Sequence, residues 1–562
     1  MRFGSAFRPT QESLPPPGAN LVLQVPPGLP VNIHPLNPLE FLLRGATVYP
    51  DQLAIAHPDV KHPVFYSYSV WAQRVQNFAY ALIENGVRPG DRVAVIAPNS
   101  YGVIGARAII VSVNIRLTKK EVDYILEHSG AKLVLVDHEF VHLTKDVRAR
   151  VIVCEDTGRP EDPYEQFLSS GRRFSRERGW LGLEMDADET KPNCLNYTSG
   201  TTGRPKGVLT TLRGTYLAAV ANAYEARMGP DSTYLWVLPM FHAGGWTYPW
   251  ASTFAFATQL IIRTVNFPTI WKHFLHSGVT HYCGAPTVQI GIVNDNNARK
   301  LSKPIKAIIA GAAPTAHTLG ALEKLGILPF HVYGLTETYG PFVRNYPQSA
   351  WSSLSIEERA KFFARQGHAF ATSAPVRVVV PGGSGPLVDV PKDGKTVGEI
   401  AMRGNILMEG YYNDPEATAR AFEGGYFHTG DLAVWYPDGS ISIQDRSKDL
   451  IISGGENAST LAIELELSSH PDVMEVSVVG RPHPKWGERP MAWVILHQTA
   501  ADRWNGRRVE FENELIKYAR QRLPGFATPE WVVVVEELPK TSTGKIVKTV
   551  LRQRAREIKA KL

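Results

Sequence analysis

Cysteine is scarce. The chain has three in 562 residues, Cys154, Cys194 and Cys283, too few for a disulfide framework and spaced like no metal site. No uninterrupted apolar run is long enough to cross a bilayer; the stretch 102–113 is too short and carries Arg107. Neither sign of charge dominates, since 60 lysines and arginines stand against 54 acids, a net charge of +6. Over such a surface that excess is too thin to argue for nucleic acid or an anionic membrane as partner. The amino terminus lacks a charged-then-apolar signal pattern, and the first 35 residues hold eight prolines instead. What is present is 44% apolar and 20% charged, enough to bury several cores. These absences and this balance lead us to expect a soluble, multidomain protein of a reducing compartment, with no membrane span and no nucleic-acid partner.

The proline-rich start, residues 1–37, reads as extended chain wrapped over a surface. From Pro38 onward, helical and strand-like segments alternate. Residues 70–85 place Val75, Phe78, Ala79 and Leu82 on one helix face, and residues 92–96 (RVAVI) read as a buried strand. The rhythm returns at 132–136, 234–238, 259–263 and 307–309, which implies layered sheets with parallel pairing and crossover helices. After Val376 short strands at 376–380, 399–403 and 440–444 are split by Gly, Pro and Asp-Gly turns, as in a small barrel or meander. From Ser447 strands at 475–479, 492–496 and 531–536 mix with helices. The expected fold class is α/β: a proline-rich extension (1–37), a large N-terminal domain of layered α/β sheets plus a small β-barrel (38–446), and a small α+β C-terminal domain (447–562).

The densest chemical signal is Tyr197-Thr-Ser-Gly-Thr-Thr-Gly-Arg-Pro-Lys-Gly207, in which seven of the ten residues 198–207 are Thr, Ser or Gly. Glycines let the backbone approach an anion, while amides, hydroxyls and a lysine donate to phosphate oxygens. It is not the P-loop of common ATPases, because Lys206 is followed by Gly207 rather than Ser or Thr. Further ordered motifs follow: Ala310-Gly-Ala-Ala-Pro314, Tyr333-Gly-Leu-Thr-Glu-Thr338, Phe427-His-Thr-Gly-Asp431, Asp445-Arg-Ser-Lys-Asp449 with Ser453-Gly-Gly-Glu-Asn457, and Pro539-Lys-Thr-Ser-Thr-Gly-Lys545.

In this order the motifs resemble those of the AMP-forming acyl-CoA synthetases of the adenylate-forming superfamily, over nearly the whole chain and with likeness to fungal peroxisomal acyl-CoA ligases. The resemblance implies an ATP-dependent carboxylic acid–CoA ligase working through an acyl-adenylate, with ATP, Mg²⁺ and coenzyme A required. It implies that Thr198, Ser199, Gly200, Thr201, Thr202, Gly203 and Lys206 hold phosphates, and that Gly311, Ala312 and Ala313 pass beneath adenine. Tyr333 and Gly334 belong to the adenine side, Asp431 and Arg446 to the ribose. Thr336 meets the α-phosphate, Glu337 is the metal carboxylate, and Lys545 is the lysine bridging carboxylate and α-phosphate. Lys448 marks the hinge on which a mobile C-terminal domain turns, and Gly454 and Gly455 line the pantetheine tunnel. His242 borders the acyl and thiol sites, where Trp246, Tyr248 and Trp250 would flank a medium-chain fatty or aromatic acid of β-oxidation or secondary metabolism. The same motifs also suit an enzyme loading a carrier protein, or a nucleotide-binding relative with impaired catalysis.

Two departures from the family pattern stand out. The segment after Asn99 is short by two or three helical turns, which should disturb packing in the first layer. After Asn457 only the later of two usual acids, Glu464, is kept. The terminal Ala560-Lys561-Leu562 is a close variant of the Ser-Lys-Leu address and implies a peroxisomal import receptor as partner. Residues 540–562 hold eight basic groups and one acid, Glu557, which reads either as a solvated face or as attraction for the phosphates of coenzyme A.

Overall fold

The computed structural model describes residues 7–97, 107–198, 205–311, 316–382, 386–446, 449–540 and 546–558. Among these residues four sheets organise the chain. The largest has a parallel centre of Leu53–His57, Thr258–Ile261, Thr233–Trp236, His281–Gly284, Ile305–Ile309 and Ile327–Leu335. Val64–Ser67 closes one side antiparallel, and Gly340–Arg344 with His368–Ala369 closes the other. The second sheet pairs Pro192–Tyr197, Ile109–Ser112, Arg92–Ile96, Leu133–Asp137 and Arg150–Cys154 in parallel. Gly207–Thr211 and Gly410–Tyr411 extend it antiparallel.

These central strands are buried on both faces; all five residues of Leu133–Asp137, for example, are buried. That is why they read as continuous apolar runs rather than alternating ones. Three of the sequence motifs leave the carboxyl ends of such strands: residues 198–206 follow Pro192–Tyr197, Gly311 follows Ile305–Ile309, and Thr336 follows Ile327–Leu335. Ligands of open α/β sheets gather at that end. The third sheet is an antiparallel meander of Arg377–Val379, Val397–Met402, Phe427–Trp435 and Ile441–Arg446. The fourth belongs to the smaller C-terminal domain. It combines Ile451–Ser453, Glu456–Ala458, Val473–His483, Gly487–Leu496 and Trp531–Val534, the last pairing in parallel.

The main core lies between the two large sheets and is built around Trp71, Phe78, Trp180, Tyr234 and Trp236. Helix Tyr68–Glu84 packs here, its N-cap Ser67 accepting from the Val70 amide. Several described residues of the N-terminal segment lie against this surface. Phe7 meets Phe65 and Tyr66 edge-on at 5.7 and 6.0 Å, Leu23 is buried, and the Ser13 hydroxyl accepts from Arg74 at 2.9 Å. A cavity of about 90 Å³ in the same layer is lined by Ala97 and Ile110, on either side of the short segment, with Val75, Phe78 and Val95. Among the described residues all three cysteines are free thiols.

Arg74 and Glu165 form a buried, bidentate ion pair, one arm at 2.8 Å. Breaking a buried pair strands a charge, whereas replacing both partners does not. Arg74→Met should therefore lower the unfolding free energy by about 3–5 kcal/mol, read as a fall in the urea midpoint. The Arg74→Met/Glu165→Met double variant should recover most of that loss.

Candidate active site

The Gly/Ser/Thr-rich segment connects two paired antiparallel strands, Pro192–Tyr197 and Gly207–Thr211. Tyr197 pairs with Gly207 in register. Beyond them the Thr198 amide donates to the Lys206 carbonyl at 3.0 Å, and the Lys206 amide returns a bond to Thr198 Oγ1 at 3.2 Å. The base of the loop is thus closed by its own ends. Tyr124 donates to the Pro205 carbonyl at 3.2 Å, and His128 Nδ1 shares a 2.8 Å hydrogen bond with the Tyr197 hydroxyl. Ser199, Gly200, Thr201, Thr202 and Gly203 lie outside the described residues. The Lys206 side chain is exposed, and its ammonium stands 4.5 Å from the centre of the Tyr411 ring.

A second wall comes from the end of Ile327–Leu335 and the turn that follows. Gly334 is required there, because a Cβ would fall 1.9 Å from the Gly340 carbonyl oxygen. Thr336 and Glu337 start a one-turn 3₁₀ helix and are half-buried. Glu337 accepts from the Tyr411 hydroxyl at 3.0 Å, while its carbonyl accepts the Met408 amide at 2.7 Å. Burial raises the Glu337 carboxyl above its ordinary pKa; the Tyr411 hydrogen bond and the Arg446 charge pull the other way.

The third wall is the meander. Asp431 faces Arg446 across two antiparallel strands. Its Oδ1 lies 3.2 Å from Arg446 Nε, and its Oδ2 accepts from the Tyr333 hydroxyl at 2.6 Å. Two residues expected on different parts of the nucleoside are therefore joined directly. Burial, followed by the Asp431 charge, pushes the Tyr333 phenol far up, so it stays a donor. Glu399 holds this strand, taking the Gly430 amide at 2.9 Å and sharing a hydrogen bond with His428 Nδ1 at 2.9 Å.

Gly311 is exposed just beyond Ile305–Ile309. His242 is half-buried ahead of helix Ala243–Phe254, its amide donating to the Pro239 carbonyl at 3.1 Å. Tyr248 does not flank an open pocket: it is buried and stacks on Tyr234 at 5.2 Å. Gly454 and Gly455 turn the hairpin between Ile451–Ser453 and Glu456–Ala458, with φ of 64° and 90°. That left-handed backbone alone accounts for both glycines. Ala312, Ala313, Lys448, Lys545 and Ala560-Lys561-Leu562 lie outside the described residues. Tyr411 and Glu399 escaped the sequence reading. Tyr411 adjoins a glycine, as many surface tyrosines do, and only the pairing of Gly410–Tyr411 with Gly207–Thr211 brings it here.

The AMP-binding enzyme family profile matches residues 42–412, and the AMP-binding enzyme C-terminal domain profile matches residues 462–545. A peroxisomal acetate/butyrate–CoA ligase of Arabidopsis thaliana is 38% identical, over 95% of this chain and 96% of its own. A 2-methylpropanoate–CoA ligase of Humulus lupulus is 37% identical over 94% and 96%, and a peroxisomal trans-cinnamate:CoA ligase of Petunia hybrida is 34% identical over 93% and 95%. Among solved structures, ATP-bound MatB of Rhodopseudomonas palustris superposes with a TM-score of 0.79 at 24% identity, over 93% of this chain and all (100%) of that one. Fold, converging motifs and full-length relatives agree: the chain belongs to the AMP-binding enzyme family.

Proposed function

We propose that this chain joins a carboxylic acid to coenzyme A in two half-reactions at one site. In the first, an oxygen of the acid attacks the α-phosphorus of ATP and pyrophosphate leaves, giving an acyl-adenylate. In the second, the thiolate of coenzyme A attacks the acyl carbon and AMP leaves with the bonding pair. The observation that carries this reading is two neighbouring networks drawn from three sheets, Lys206–Tyr411–Glu337 and Tyr333–Asp431–Arg446, the second close enough for the Arg446 charge to act on the Glu337 carboxyl.

Negative charge gathers from carboxylate, α-phosphate and departing pyrophosphate, so catalysis rests on donors and cations placed in advance. Residues 198–203 and Lys206 grip the triphosphate. Gly311, Ala312, Ala313, Tyr333 and Gly334 border the adenine, Asp431 and Arg446 the ribose hydroxyls, and Thr336 the α-phosphate. Glu337 fits a Mg²⁺ ion. It is one hard carboxylate with a single bond from Tyr411 to one oxygen, and among the described residues no cluster of three His, Cys, Asp or Glu competes. One carboxylate with substrate phosphates and waters is how this ion is usually held, and bound there it supplies charge neutralisation at the phosphates.

Lys545 bridges carboxylate and α-phosphate, then must withdraw to admit the thiol. The chain divides at 37/38 and 446/447, and the C-terminal domain turns about Lys448, bringing Gly454 and Gly455 to the pantetheine path beside His242. The acid is apolar, and relatives named for acetate, butyrate, 2-methylpropanoate and trans-cinnamate support a range from short aliphatic to aromatic acids. Peroxisomal relatives support Ala560-Lys561-Leu562 as an address read by the import receptor, with the peroxisome as the place of action. Among the described residues no helix is long and apolar enough to cross a membrane.

The purified chain should release pyrophosphate with at least one acid from a panel running from acetate to cinnamate, and form the thioester when coenzyme A is added. Release without thioester would overturn coenzyme A as acceptor; no release with any acid would overturn the reading as a whole. Lys545→Ala should abolish pyrophosphate release yet leave thioester formation from supplied acyl-adenylate within about threefold of the unaltered chain, since that step uses none of the α-phosphate charge. Equal loss of both steps would refute its assigned role.

Glu337 yields a stability test. Its raised folded pKa means that ionising it opposes folding. The penalty is absent below the unfolded value of about 4.3. It grows as pH rises toward the folded value and is complete above it. In EDTA, Glu337→Gln should therefore raise the thermal midpoint near pH ~7.5 and leave it unchanged near pH ~4. With Mg²⁺ it should cut pyrophosphate release by about 100-fold or more.

A further inference from the structure

Between the foot of the loop that carries Lys206 and the turn that carries Glu337 stands one side chain to which the family motifs assigned nothing. Tyr411 presents its ring to the Lys206 ammonium at 4.5 Å and its hydroxyl to Glu337 Oε1 at 3.0 Å. Its own position is tightly determined. The amides of Glu409 and Tyr412 donate to the Leu209 and Gly207 carbonyls at 2.8 and 2.7 Å, on the strand leaving the loop. The Met408 amide donates to the Glu337 carbonyl at 2.7 Å, on the opposite wall. The Tyr411 amide donates to Thr418 Oγ1 at 2.9 Å. Residues 408–412 are therefore sewn to both motifs by main-chain bonds, and the tyrosine lies across the gap between them.

We propose that Tyr411 is a positioning residue that couples the two halves of the triphosphate site, its ring seating the Lys206 ammonium while its hydroxyl orients the Glu337 carboxylate. The inference rests on reading Lys206 as a phosphate group and Glu337 as the metal carboxylate. Lys206 has no carboxylate partner among the described residues, so the ring is the feature that limits where its long, flexible side chain points. For Glu337, a bond from Tyr411 to one oxygen selects the rotamer that leaves the other oxygen for a cation.

The two functions separate by substitution in the full-length chain. Tyr411→Phe keeps the ring and removes the hydroxyl, whereas Tyr411→Leu removes both. Metal binding is read by the electron paramagnetic resonance signal of free Mn²⁺ titrated into enzyme with ATP; nucleotide binding alone is read by calorimetric ATP titration in EDTA. Tyr411→Phe should weaken Mn²⁺ binding about tenfold and leave metal-free ATP binding unchanged. Tyr411→Leu should show the same metal loss and, in addition, weaken metal-free ATP binding about three- to fivefold. A merely structural tyrosine would make Tyr411→Phe move both readouts together, and that result, or a Tyr411→Phe variant that binds Mn²⁺ like the unaltered chain, would overturn the proposal. Glu337→Gln locates the failure. If it too leaves Mn²⁺ binding intact, the metal reading falls with the proposal; if it abolishes binding while Tyr411→Phe does not, the proposal falls alone.

Discussion

A carboxylate and a triphosphate repel each other, and the chemistry of this family must bring them within bonding distance. That constraint asks for cations and donors in a fixed array, yet a cation parked permanently between the reactants would block the sulfur nucleophile of the second step. The structure answers the first half of the demand with groups from separate walls. Lys206 stands at the foot of a loop between two strands, Arg446 on a meander strand, and the Glu337 carboxylate, the proposed metal ligand, at a one-turn helix. Each is tied to a neighbour that is not itself reactive: Arg446 to Asp431, Asp431 to Tyr333, Glu337 to Tyr411. Such preorganisation spares the reaction the work of turning dipoles at the moment of bond formation.

The frame that makes this possible is the common direction of the parallel strands. Pro192–Tyr197, Ile305–Ile309 and Ile327–Leu335 each run into a motif at the carboxyl end, so three motifs leave two sheets at the end where ligands of such sheets gather, without long insertions. The meander adds the missing side through a cross-strand pair, Asp431 opposite Arg446, whose side chains share a face as directly opposite residues do. Glu399 sits at the irregularity of the neighbouring strand pair, where it accepts the Gly430 amide, a role for a carboxylate outside every motif.

Much of this was legible from residue order alone, for physical reasons. A strand buried on both faces must be apolar throughout, so residues 92–96 declared themselves with no error in their bounds, and the neighbouring strands fell within one or two residues. Helix Tyr68–Glu84 followed from a single apolar face. What escaped were contacts that depend on register rather than composition. The two-residue strands His368–Ala369 and Gly410–Tyr411 have no pattern to recognise, and with the second went Tyr411. Strands Val473–His483 and Gly487–Leu496 run past Pro482 and Pro490, because those prolines lie toward the turn that joins the two strands, near the end of the ladder, where a missing amide costs least. Tyr248 looked like a pocket wall because aromatics cluster around His242, but a stacking partner on the preceding strand, Tyr234, draws it into the core.

The C-terminal tail is subject to the same electrostatic constraint. Its excess of positive charge reads from sequence as a field for phosphates, yet part of it is spent inside the fold. Lys540 pairs with Glu475, Lys548 with Glu464, and Arg552 with Asp449. Glu464, the acid kept where the family usually has two, also accepts the Val478 amide at 2.7 Å, so its retention is structural. Across the proposed pivot the contact that matters is different: Asp445, on the meander, accepts both the amide and the hydroxyl of Thr460 at 2.6 and 2.8 Å. The proposed turn about Lys448 would leave the tail's ion pairs intact within the small domain and would work against this junction. Each hydrogen bond to a carboxylate there is worth about 1.5–3 kcal/mol. That is enough to define an orientation and small enough for the binding of a substrate to overcome.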